Sequence, residues 1–209
     1  MKKYLTEFIG AFFLTMTVVL CFSDPKTAPM GPFAVSGMFM ALIAAGAPHS
    51  GGYFNPALTV AALIAGRMER IEALYLMGLQ LLAGVVAASI GVYLHNAGGG
   101  FAVEAKVLPD MLGAVLAEFL GVFIMVYVML YINSRLEVSP LTYALAMGFL
   151  LLSIMFAFDK LSGAYFNLAT VLGACIAGLA AWEDLILYVI GGMFGAAAAA
   201  TVFVNMKEA

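Results

Sequence analysis

The octapeptide Ser50-Gly51-Gly52-Tyr53-Phe54-Asn55-Pro56-Ala57 returns 112 residues later as Ser162-Gly163-Ala164-Tyr165-Phe166-Asn167-Leu168-Ala169. Each copy opens an apolar run, Asn55–Gly66 and Asn167–Gly178, of only about a dozen residues. Crossing a bilayer core of about 30 Å takes about 20 residues in a helix, so runs of this length are re-entrant segments rather than spans. Any fold of this chain must therefore give two short helices, each starting at an Asn, equivalent surroundings.

The rest of the chain is membrane-like. It is 65% hydrophobic and 10% charged, with mean hydropathy +1.07, against about 25% charged residues in a soluble domain. A net charge of −3 with no basic patch gives no footing for nucleic acid. Cys21 and Cys175 lie in apolar runs without disulfide spacing. No cluster suggests a metal, a cofactor or covalent catalysis, so an enzyme is not expected. Lys2 and Lys3 before an apolar run resemble a secretory signal. Glu7 interrupts that run, however, and Asp24-Pro25-Lys26 follows without a small-x-small cleavage pattern. The segment is predicted to be a retained first span.

Hydropathy and breakers predict spans at Tyr4–Phe22, Phe33–Ala47, Ile71–Leu94, Met111–Ile132, Pro140–Phe158 and Asp184–Val204, the second of them marginal in length. Six spans put both termini on one side. Lys2, Lys3, Arg67, Arg70, Arg135 and Lys207 then share that side, against Lys26, Lys106 and Lys160 on the other. The positive-inside rule makes the first side cytoplasmic, in a bacterial-type cytoplasmic (inner) membrane. The first re-entrant segment then comes from the cytoplasm and the second from outside, meeting near the midplane.

The duplication reaches further, because Glu7-Phe8-Ile9-Gly10-Ala11-Phe12 matches Glu118-Phe119-Leu120-Gly121-Val122-Phe123. Residues 1–95 and 111–209 form two repeats joined by an external, glycine-containing connection, 96–110. Each repeat holds three spans, an odd number, so the second is inverted relative to the first. Inverted repeats that meet at broken helices are a transport architecture.

At a helix N-terminus, unpaired N–H groups and the helix dipole present partial positive charge. Asn caps such an end with its carbonyl oxygen, which turns its amide N–H groups outward. Pro56 suits the first helical position, and the small Ala57 and Ala169 allow close approach. Asn55 and Asn167 facing each other would hold a water or hydroxyl as acceptor, break a proton wire and repel cations.

These residues resemble the aquaporin, or major intrinsic protein, family over essentially the whole chain. The resemblance rests on Ser50-Gly51…Asn55-Pro56-Ala57, Ser162-Gly163…Asn167-Leu168-Ala169, and Glu7 and Glu118 early in each half. It implies an all-α integral membrane fold: a right-handed bundle of six transmembrane helices plus two re-entrant half-helices, assembled as a homotetramer in the lipid bilayer. It also implies that Glu7 and Glu118 accept hydrogen bonds from the re-entrant loops, consistent with a buried carboxylate needing partners.

Two departures from the family pattern bear on the permeant. Leu168 replaces the second motif's proline, adding one N–H that needs a partner. Thr170 stands where the family usually has the Arg of its constriction. The other constriction positions fall at Val35 or Ser36, Ile154 or Met155, and Ala164. None supplies a cation or a ring, so the expected permeants are water and small uncharged solutes of the glycerol or urea kind. Two rivals are an ion-coupled transporter with inverted repeats and a non-conducting scaffold plugged by Met155 or Phe166. Gly191 and Gly195 on the last span predict close helix packing within the subunit.

Overall fold

The structure is a computed structural model that describes residues 1–134 and 138–208. Arg135 lies outside the described residues, as does the side chain of Lys207. Among the described residues eight α-helices follow in order: α1 Lys2–Phe22, α2 Gly31–Ser50, α3 Pro56–Ile64, α4 Arg70–Ala97, α5 Met111–Ile132, α6 Pro140–Ser162, α7 Leu168–Ile176 and α8 Leu185–Glu208. Both halves run long, long, short, long. Six of the helices are long and apolar enough to cross a membrane, and no strand occurs among the described residues.

Two boundaries differ from the sequence prediction for one shared reason. The second span runs to Ser50, through Pro48, rather than ending at Ala47, and it starts at Gly31; its 20 residues remove the expected shortfall. The fifth runs to Ser162 rather than Phe158. The last turn of each is polar, which hydropathy discounts. Each nevertheless stays helical until a glycine in the left-handed region, Gly51 at φ 98° and Gly163 at φ 85°, closes it. A residue without Cβ adopts that conformation at no steric cost.

The long helices pack mainly as α1 with α4, α5 with α8 and α2 with α6. On α8, Gly191 and Gly195 lie against α5 backbone. A Cβ at Gly191 would sit 2.7 Å from the Val115 carbonyl oxygen, and one at Gly195 would strike that of Phe119. The glycine pair thus serves packing inside the subunit. The half-helices pack largely across the halves, α3 against α8 and α7 against α4 and α1, while α3 also touches α4 of its own half.

Charged contacts sort the two ends of the bundle. Lys3 pairs with Glu72 at 2.6 Å, and Arg67 donates to the Leu130 carbonyl at 2.7 Å while covering the Phe203 ring. These contacts gather the start of α1, the start of α4 and the end of α8. At the opposite end Lys106 pairs with Asp159 at 2.9 Å, and Lys26 lies over Phe101.

Candidate pore

Buried carboxylates hold the loops that lead into both half-helices. Glu7, fully buried, accepts from Ser50 Oγ at 2.7 Å, Tyr53 N–H at 3.0 Å, Phe54 N–H at 2.6 Å and Gln80 Nε2 at 2.7 Å. Glu118 repeats the pattern with Ser162 Oγ at 2.7 Å, Tyr165 N–H at 3.1 Å and Phe166 N–H at 2.8 Å. The loops need this support because Phe54 and Phe166 both take φ 50°, a region that costs a side-chain-bearing residue about 1–2 kcal/mol. Their rings enter slots at Gly10 and Gly121, where any Cβ would land on the ring. Sequence reasoning missed these two glycines. The signal was present, three residues after each glutamate in the repeated Glu-Phe-x-Gly.

Gln80 is a further residue the sequence did not single out. Its amide bridges Glu7 and Thr59 Oγ1, the latter at 2.9 Å. The second half has Val171 and Gly192 at the matching positions, so the polar bridge exists only in the first. The Leu168 side chain lies on that apolar side, 3.7 Å from where a Cβ at Gly192 would stand.

The two helix starts meet through their asparagines. Asn55 Oδ1 accepts from Ala57 N–H at 2.9 Å; Asn167 Oδ1 accepts from Ala169 N–H at 2.9 Å and Thr170 N–H at 3.4 Å. Each amide nitrogen then reaches across: Asn55 Nδ2 donates to the Phe166 carbonyl at 2.7 Å and Asn167 Nδ2 to the Phe54 carbonyl at 3.0 Å. This corrects the expectation that both amide N–H groups face the permeant. An amide has two; here one ties the half-helices together and one is left for a guest. The Leu168 N–H, expected to need a partner, forms no hydrogen bond among the described residues. An unpaired N–H is normal at a first helical position.

A cavity of about 200 Å³ starts at this pair. Its wall follows one face of α1 through Leu14, Val18 and Phe22, and one face of α6 through Leu151, Met155 and Asp159. Steps of four residues stay on one helix face, so the cavity runs lengthwise for about 12 Å. Val35, Met155, Ala164 and Thr170 all line it, whereas Ser36 and Ile154 do not. Phe166 contributes to the wall near the Asn pair, while its ring is turned into the Gly121 slot, edge-on to Phe158. Thr170 is buried, and its Oγ1 has no protein partner among the described residues. At the end away from the Asn pair the wall carries Glu104, Lys106 and Asp159. Among the described residues no group of three or more His, Cys, Asp or Glu could hold a metal.

A six-span bundle with two half-helices joined tip to tip, and a lengthwise cavity beginning at their junction, defines a membrane channel. The major intrinsic protein model matches residues 1–203, and the chain belongs to that family. Curated relatives include aquaporin PIP1-1 of Musa acuminata, 31% identical over 94% of this chain and 76% of its own length. Aquaporin PIP 1-3 of Oryza sativa subsp. japonica is 30% identical over 98% of this chain and 78% of its own. Among solved structures, the aquaglyceroporin from Plasmodium falciparum superposes with TM-score 0.77 at 17% identity, covering 99% of this chain and 95% of that one; this likeness concerns the fold. Members of the family are passive channels, not enzymes.

Proposed function

We propose that this chain conducts water and small uncharged solutes of the glycerol and urea kind through a constriction wider and less polar than the family's usual one. The observation that carries the proposal is the wall outward of Asn55 and Asn167. Of the residues that line it, Val35, Met155, Ala164 and Thr170 stand at the family's constriction positions, with no charge and no ring among these four, while the rings of Phe22, Phe39 and Tyr165 belong to other parts of the lining. The pore centre, Asn55-Pro56-Ala57 facing Asn167-Leu168-Ala169, supplies the free amide N–H groups and two positive helix ends. Cation and proton exclusion at the centre rests on those groups. Glu7 and Glu118 hold the loops and do not touch the permeant.

The assembled form on this reading is a homotetramer with one pore per subunit. Both termini face the cytoplasm of an inner, cytoplasmic-type membrane, and the bias of Lys and Arg supports that orientation. The repeats are 1–95 and 111–209, inverted about the membrane plane.

Purified protein in proteoliposomes, followed by stopped-flow light scattering with a panel of osmolytes, tests the proposal. Fluxes of water and urea should be linear in their gradients and indifferent to Na+ or proton gradients. Saturation at low solute concentration, or dependence on an ion gradient, would point to coupled transport instead. Vesicles no more permeable than protein-free lipid would point to a plugged scaffold.

A further inference from the structure

The outer end of the cavity holds three charged side chains among its lining residues, two carboxylates and one ammonium: Glu104, Asp159 and Lys106. Lys106 belongs to the connection between the halves, which carries no regular structure there, yet its position is tightly specified. Its N–H donates to the Leu179 carbonyl at 3.0 Å. Its ammonium donates to the Asp159 carbonyl at 2.6 Å and to Asp159 Oδ1 at 2.9 Å. Both acceptors lie in the last turn of α6, where helix carbonyls add partial negative charge and favour a cation. The Lys106 side chain lines the cavity and stays 34% exposed, so the ammonium, with one further proton to donate, is within reach of solvent.

Lys106 is the one cation among the described residues lining the mouth. With Lys106 present, two carboxylates are opposed by one ammonium. Without it, both carboxylates and the α6 terminus would face an opening whose inner wall carries no fixed charge to repel what they attract. A cleft lined by one sign of charge concentrates the opposite ion.

We propose that Lys106 is the specificity-determining residue of the outer mouth, positioned by Asp159, and that it discriminates against cations there, ahead of the half-helix ends that do so at the centre. This rests on the channel reading above. An alternative role for the same contact is a purely mechanical latch, and the two roles predict opposite signs in one experiment.

The test compares K+ flux with urea and water flux in proteoliposomes of the wild type and of Lys106→Met, Lys106→Arg and Asp159→Asn. Lys106→Met should raise the K+ to urea ratio about fivefold or more, and Lys106→Arg should leave it near wild type. Asp159→Asn, which removes a negative charge, should lower or leave the ratio, not raise it. If Lys106→Met and Asp159→Asn move the ratio in the same direction, or if urea and K+ rise together in both, the contact is a latch and the proposal is overturned. An unchanged ratio in Lys106→Met also overturns it. Wild-type vesicles that pass neither water nor urea overturn the channel reading, and this inference with it.

Discussion

At the residue scale, everything depends on giving an irregular backbone enough partners inside a membrane. Glu118 takes three donors, two of them N–H groups of a loop with a left-handed phenylalanine. Orphaning buried donors costs about 1–3 kcal/mol each, so Glu118→Ala should destabilise the protein by about 3 kcal/mol or more. Thermal unfolding in detergent measures this, and a loss below about 1 kcal/mol would contradict the support role. Gly121→Ala should also destabilise, by about 1–3 kcal/mol, because the new methyl meets the Phe166 ring; Gly37→Ala, with open space around it, is the control. The glutamates and asparagines were legible in the sequence because a charged or amide residue in an apolar run is conspicuous and here occurs twice. Gly10, Gly121 and Gln80 were not. The repeated Glu-Phe-x-Gly marks the two glycines without giving their purpose, and nothing repeated marks Gln80; the meaning of all three comes from what another segment brings against them.

At the scale of elements, the two short helices are fixed by each other's loops as much as by their own caps. Asn167 both caps α7 and donates to the Phe54 carbonyl. Asn167→Ala removes both the cap and the cross-link, with a cap alone worth about 1 kcal/mol. The expected result is a protein that still folds but lets protons through, seen as faster decay of a pH gradient with an internal dye. Proton tightness equal to wild type would contradict the role of the Asn pair. Element existence and order were fully legible, since eight apolar segments of two lengths leave few alternatives. The ends of α2 and α6 were misjudged because their last turns are polar while still helical, His49-Ser50 in one and Asp159 to Ser162 in the other. The cross-bonding of the asparagines was invisible for a related reason. Capping is a local property, but the Phe54 and Phe166 carbonyls become acceptors only once both loops adopt positive φ and face each other.

For the whole molecule, the cross-packing of α3 on α8 and α7 on α4 makes the halves one cooperative body around a shared path. What the path accepts is set by few side chains. Thr170→Arg places a long cation where the wall is now neutral; water flux should persist while urea flux falls about tenfold. Equal urea flux in wild type and Thr170→Arg would show that Thr170 does not control the path. The central claim is that the path conducts neutral solutes larger than water, and glycerol uptake tests it most directly. Proteoliposomes mixed with a hyperosmotic glycerol solution should shrink quickly as water leaves, then reswell as glycerol follows, far faster than protein-free vesicles. Vesicles that shrink quickly and stay shrunken would contradict it, leaving a pore that passes water alone.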